Sequence, residues 1–131
     1  MKLYSIRIVT KDVPALARFY EKVTQIAPVS PAGISSTAYV EFRTAGSILA
    51  IADEGGVAKY NAGAAVGAAN RSMILEFEVA DVVAERARLD KVVTQWAMEP
   101  FVAPWGNHTM LFRDPDGNLI NFFTTVRKEP K

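Results

Sequence analysis

Few side chains in this 131-residue sequence can do covalent or metal chemistry. It contains no cysteine and one histidine, His108. Disulfide scaffolds, thiolate zinc sites, iron–sulfur clusters and cysteine nucleophiles are excluded, and any metal site must rest mostly on oxygen ligands. His108 stands three residues after Trp105, with no partner at a spacing that would build a triad, so no catalytic residue is assigned. It reads as an ordinary polar or packing residue, or as a ligand contact. The remaining candidates are charges at alternating positions of two apolar runs. Arg7 alternates with Ile6 and Ile8, and Glu76 and Glu78 alternate with Leu75, Phe77 and Val79. Alternation throws these charges onto one side of a strand and the apolar residues onto the other. Trp96, Phe101 and Trp105 are either packing residues or a platform for stacking on a planar ligand.

The elements that must hold these groups fall into two halves. Leu3–Val9 reads as a strand. Asp12 is a helix N-cap, Pro14 fits a first turn, and Val13, Leu16, Ala17, Tyr20 and Val23 recur at helical spacing, predicting a helix over 13–24. Pro28, Pro31 and Gly33 end it in a loop, and strands Thr37–Arg43 and Ser47–Ala52 follow around a Thr44-Ala45-Gly46 turn. The order then repeats. Met73–Val79 is a strand, Asp81 a second N-cap, and Val82–Lys91 a helix. After a proline-punctuated stretch come strands His108–Arg113 and Leu119–Thr124, joined by the turn sequence Asp114-Pro115-Asp116-Gly117-Asn118. The capping residues Asp12 and Asp81 lie 69 positions apart, and the pairs Phe42-Arg43 and Phe112-Arg113 lie 70 apart. Two independent landmarks thus give one repeat, βαβββ-βαβββ, with modules at about 1–60 and 71–131. The Ala/Gly-rich stretch 61–70 reads as the connector, or as a flap over a site. Arg7 and Glu76 are equivalent positions of the repeat, which suggests a structural ion pair between modules or a shared role in touching a polar ligand.

Composition agrees with one folded domain. Hydrophobic residues make up 50% and charged residues 22% of the chain. Fifteen basic against fourteen acidic residues leave a formal charge of +1, which gives no global field for nucleic acid or an anionic membrane. No run approaches the ~18 apolar residues of a membrane span, and the start MKLYSIRIV is too short for a signal h-region. A cytoplasmic protein without nucleic-acid or membrane partners is expected. Arg18, Glu21, Lys22, Arg86 and Arg88 read as solvated helix faces.

The strand-Asp-helix opening with Phe19-Tyr20, the Pro104-Trp105-Gly106 segment and the run from Phe112 to Ile120 (FRDPDGNLI) resemble the vicinal oxygen chelate superfamily. That group includes glyoxalases, extradiol dioxygenases, and fosfomycin, bleomycin and mitomycin resistance proteins. The resemblance covers essentially the whole chain. It implies an α+β fold in which two βαβββ modules form half-barrels around a cleft. It also implies a metal held by His on the first strand and Glu on the last strand of each module. Carried over one position at a time, those ligand places fall on Ser5 and Ile74, seven residues before the capping aspartates, and on Ala50 and Asn121, four residues after the turn glycines. These residues are poor or incapable metal ligands, so the expectation is a cleft with neither metal nor cofactor.

Within the resemblance, Ser5, Arg7, Ile74, Glu76 and Glu78 face the cleft, and the Trp96–Trp105 segment runs along it. The expected function is capture of a small molecule in the manner of the bleomycin-resistance members. Ser5, Arg7, Glu76, Trp105, His108 and Asn121 would contact the ligand, with aromatic stacking supplying most of the binding. The rival is a metal-dependent lyase, isomerase or dioxygenase whose ligands have moved to carboxylates such as Glu76, Glu78 or Asp53. A homodimer is expected in either case.

Overall fold

The computed structural model describes residues 1–125; the expected end of the second module at 131 lies outside them. The chain divides into two compact units, one running from Met1 to Asn70 and one beginning at Arg71.

In the first unit, strand β1 (Ser5–Thr10) leads to helix α1 (Val13–Thr24), then β2 (Tyr39–Arg43), β3 (Ile48–Asp53) and a short helix α2 (Glu54–Ala58). The Asp12 carboxylate caps α1 by accepting from the Ala15 N–H at 3.0 Å, which satisfies one of the free donors of the first turn. All five residues at helical spacing are buried, joined by Phe19. The Tyr20 ring meets Phe42 of β2 at 6.3 Å between centroids. The sheet order is β1-β3-β2, with β1 parallel and β2 antiparallel to β3. Where a further strand of the βαβββ order is expected, only a bridge forms, between Val29 and Glu41. Pro28 and Pro31 flank Val29, and their missing N–H groups limit pairing to that one residue.

In the second unit, β4 (Ile74–Glu78) and helix α3 (Val82–Arg88) precede β5 (Gln95–Val102), β6 (His108–Arg113) and β7 (Leu119–Phe123), with the sheet order β4-β7-β6-β5. Asp81 caps α3 through the Ala84 N–H at 3.0 Å. The helix stops at Arg88, three residues before the expected Lys91, where Leu89 leaves helical geometry and becomes fully buried. Strand β5 is absent from the sequence reading because Pro100 interrupts it. It is an edge strand with register shifts on either side of Met98, and an edge bulge tolerates a residue without an N–H.

The turn after β6 is built on the Asp114 side chain, which is buried and accepts from the Asp116 and Asn118 N–H groups at 2.9 Å and from Asn118 Nδ2 at 2.7 Å. Gly117 closes it at φ +85, where a side chain would also lie 2.9 Å from the Arg71 guanidinium. Arg86 is not the solvated residue expected. Its guanidinium lies 3.7 Å from the centre of the Trp96 ring and pairs with Glu99 and Asp90, so α3 is clamped to β5. Trp96, at 5.6 Å from Phe112, therefore packs on the helix side of its sheet.

Candidate functional site

Each sheet has one face covered by its helix and one face left for other contacts. In β1, Ile8 and Thr10 are buried while Arg7 is exposed; in β4, Leu75 is buried while Ile74, Glu76 and Glu78 are exposed. The strand phases are those read from the sequence. Pairing across the sheets also reproduces the repeat. Arg7 lies opposite Ala50 in the first sheet, and Glu76 lies opposite Asn121 in the second. The two sheets thus place an arginine and a glutamate at equivalent sites, each beside one of the positions carried over as metal ligands.

Those four positions do not fit a divalent metal. Ala50 and Ile74 have no donor atom, and Ser5 offers one neutral hydroxyl. Asn121 has its amide committed: Oδ1 accepts from the Thr109 hydroxyl, and Nδ2 donates to Glu76 Oε2 at 3.2 Å. Among the described residues no three His, Cys, Asp or Glu side chains gather into a metal-binding group.

The first unit contains a cavity of about 680 Å³, within the ~300–1,000 Å³ range of small-molecule sites. Its floor is the open face of the sheet, with Ser5 and Arg7 from β1, Ala52 from β3 and Tyr39 from β2. One wall is α2 and the residues after it, chiefly Val57 and Tyr60, and the other is the loop carrying Ile34 and Ala38. Small side chains at Ala38, Ala52 and Gly56 leave the room that larger ones would fill.

The floor carries a fixed polar cluster. Glu41, 8% exposed, accepts the Tyr39 hydroxyl at 2.8 Å and the Arg43 guanidinium at 3.2 and 3.0 Å. The Tyr39 hydrogen bond, seconded by Arg43, holds the Glu41 carboxyl below its usual range. Burial and then the same hydrogen bond push the Tyr39 phenol up, against an opposing pull from Arg7. Tyr39 is therefore a neutral, oriented ring at neutral pH. Arg7 has no carboxylate partner within its own unit among the described residues.

The other sequence candidates belong to the second unit. His108 opens β6, half-buried, its backbone N–H donating to the Thr124 hydroxyl and its carbonyl accepting from the Thr124 N–H, both at 3.0 Å. Trp105 sits in the β5–β6 turn, 73% exposed, and Phe101 is also exposed. Glu76, Asn121 and Thr109 form one chain of hydrogen bonds across β4, β7 and β6. Sequence reasoning missed Tyr39, Val57 and Tyr60. Two glycines in α2 hide that helix from any periodicity argument, and Tyr39 reads as one more residue of a strand.

The family profile described as the Glyoxalase/Bleomycin resistance protein/Dioxygenase superfamily matches residues 2–122. The chain belongs to this superfamily. Its mixed α+β architecture, with one three-stranded and one four-stranded sheet, is the glyoxalase fold of two half-barrel modules. A glyoxalase-related enzyme from Fulvimarina pelagi superposes with a TM-score of 0.78 at 23% identity, covering 95% of this chain and 88% of that one. A glyoxalase/bleomycin resistance protein/dioxygenase family enzyme from Burkholderia phytofirmans PsJN gives 0.82 at 15% identity, covering 96% and 100%. TioX from Micromonospora sp. ML1 gives 0.71 at 16% identity, covering 96% and 100%. At these identities the superpositions speak for the fold alone. No curated protein matches. Among the described residues no helix is long and apolar enough to cross a membrane.

Proposed function

We propose that this member of the glyoxalase/bleomycin-resistance superfamily is a metal-free small-molecule-binding protein, acting as a cytoplasmic homodimer that captures its ligand without converting it. The carrying observation is the pairing of two facts about one sheet face. Of the ligand positions on this face, Ala50 has no donor atom and Ser5 only a neutral hydroxyl, yet Ser5 and its neighbour Arg7 line a cavity of about 680 Å³. A site that has lost its metal ligands but kept room for a ligand is suited to affinity, not Lewis-acid chemistry. In this reading Ser5 and Arg7 contact the ligand from the first unit. Glu76, Asn121, His108 and Trp105 are the contact residues proposed for the second unit, with Trp105 available for stacking.

The test is a thermal-shift screen of protein dialysed against a chelator, using a panel of metabolites and antibiotics, with each hit analysed for turnover by mass spectrometry. At least one compound should raise the melting temperature without being consumed, because a ligand bound only to the native state stabilises it by about 2.7 kcal/mol at a hundred times Kd. Stabilisation that requires added divalent metal, or conversion of the bound compound, would instead establish an enzyme with relocated ligands such as Glu76, Glu78 or Asp53.

A further inference from the structure

The cavity of the first unit has a chemical bias that narrows its ligand. Its lining carries two charged groups, Arg7 and Asp53. Arg7 is exposed and lacks a carboxylate partner within its unit among the described residues. The other cation of this face, Arg43, is already engaged by Glu41 at 3.0 Å. Among the described residues, Arg7 is therefore the free cation of the cavity. A guanidinium presents a planar fork of donors that matches an oxyanion in two parallel hydrogen bonds. The surroundings favour one negative charge over two. Among the described residues no second Lys or Arg lines the cavity. A dianion would leave one charge without a counter-ion.

Apart from Ser5 and Asn61, the rest of the lining is apolar or aromatic. Ile34 and Val57 supply aliphatic walls, Tyr39 is a ring held in place through Glu41, and Tyr60 is 92% exposed beside α2. A ring exposed to that extent at the rim of a cavity is free to close on a flat ligand, and Ala52 and Ala38 beneath leave space for one. Resting on the capture reading above, we infer that the ligand is a planar aromatic monocarboxylate. Its carboxylate sits on Arg7, and its ring lies between the small-residue floor and the side chains of Tyr39, Val57 and Tyr60.

Isothermal titration with three probes of one shape tests this: 2-naphthoate, the neutral 2-naphthamide and the dianionic 2-naphthyl phosphate. The unmodified protein should bind naphthoate at least tenfold more tightly than the amide, and the phosphate no more tightly than naphthoate. Arg7→Gln should weaken naphthoate by about tenfold to a hundredfold, the loss of a charge-assisted hydrogen bond. It should weaken the amide far less than naphthoate, since a neutral carbonyl accepts a weaker hydrogen bond, and Arg7→Lys should restore part of the loss. Tyr60→Ala should weaken all three probes alike. Equal binding of naphthoate and amide by the unmodified protein overturns the inference without any variant having to fold. So does naphthoate affinity indifferent to Arg7→Gln, or a phosphate bound far more tightly. If no naphthalene probe binds while the panel above yields an uncharged or cationic ligand, the inference fails and the capture reading stands. If nothing in the panel or the probe set binds, both fail.

Discussion

Tyr39→Phe removes one oxygen from the floor of the cavity, and its consequence can be worked from the structure. The Tyr39 hydroxyl donates to Glu41 at 2.8 Å, and Glu41 is 8% exposed. A hydrogen bond to a charged acceptor contributes about 1.5–3 kcal/mol, with the upper end kept for isolated pairs. Glu41 retains Arg43, so the lower end applies, about 1.5 kcal/mol. Arg43 is itself 62% exposed, and solvent screening limits its ion pair to about 0–1 kcal/mol. Tyr39→Phe should therefore cost more than Arg43→Gln, although only the second removes a charge.

The pH dependence follows from Glu41, whose carboxyl is lowered from 4.5, chiefly by Tyr39. A group whose folded value is depressed contributes stability that is complete above its unfolded value and lost as pH falls through the folded one. The gap between the original protein and Tyr39→Phe should accordingly be constant from about pH 6 to 8 and shrink below about pH 4.5. Urea denaturation at pH 7, 5 and 3.5 measures it, and at about 4 °C per kcal/mol the melting temperature at pH 7 should drop by about 6 °C. A gap under about 0.3 kcal/mol, a gap that persists undiminished at pH 3.5, or a larger cost for Arg43→Gln would refute the reasoning.

Elemental analysis of the dialysed protein should find well under one zinc, manganese, iron or nickel per chain, since Ser5, Ala50, Ile74 and Asn121 cannot assemble a coordination sphere; one metal per chain would reverse the proposal. Sedimentation equilibrium at micromolar concentration should give twice the 14.3 kDa chain mass, and a mass at the monomer value would remove the homodimer. Asp114→Ala should destabilise by about 3 kcal/mol or more, because three donors satisfied by one buried carboxylate lose their acceptor together; a melting temperature within a degree of the original would show the turn to be held otherwise.

Much of this protein was settled by the sequence alone, wherever a local rule had no competitor. Asp12 and Asp81 cap helices because a short acidic side chain before an amphipathic stretch meets free N–H groups in any tertiary setting. The Asp114–Asn118 turn is equally local. Alternation set the strand phases correctly, so Arg7 and Glu76 emerge on the faces away from the helices. Arg7 and Glu76 keep the 69-residue offset of Asp12 and Asp81, and their strand partners Ala50 and Asn121 keep the 71-residue offset of the turn glycines Gly46 and Gly117. Tertiary structure decided what depends on neighbours distant in the chain. Strand β5 exists because an edge position and its bulges tolerate Pro100, whereas prolines around Val29 reduced the corresponding place in the first unit to a bridge. Trp96 was assigned to the helix side by Arg86 and Phe112, a choice its own segment did not contain. The cavity is of the same kind. Tyr39 lies on β2 while Val57 and Tyr60 lie in and just after α2, and only folding brings these two segments to one floor and wall beside Arg7.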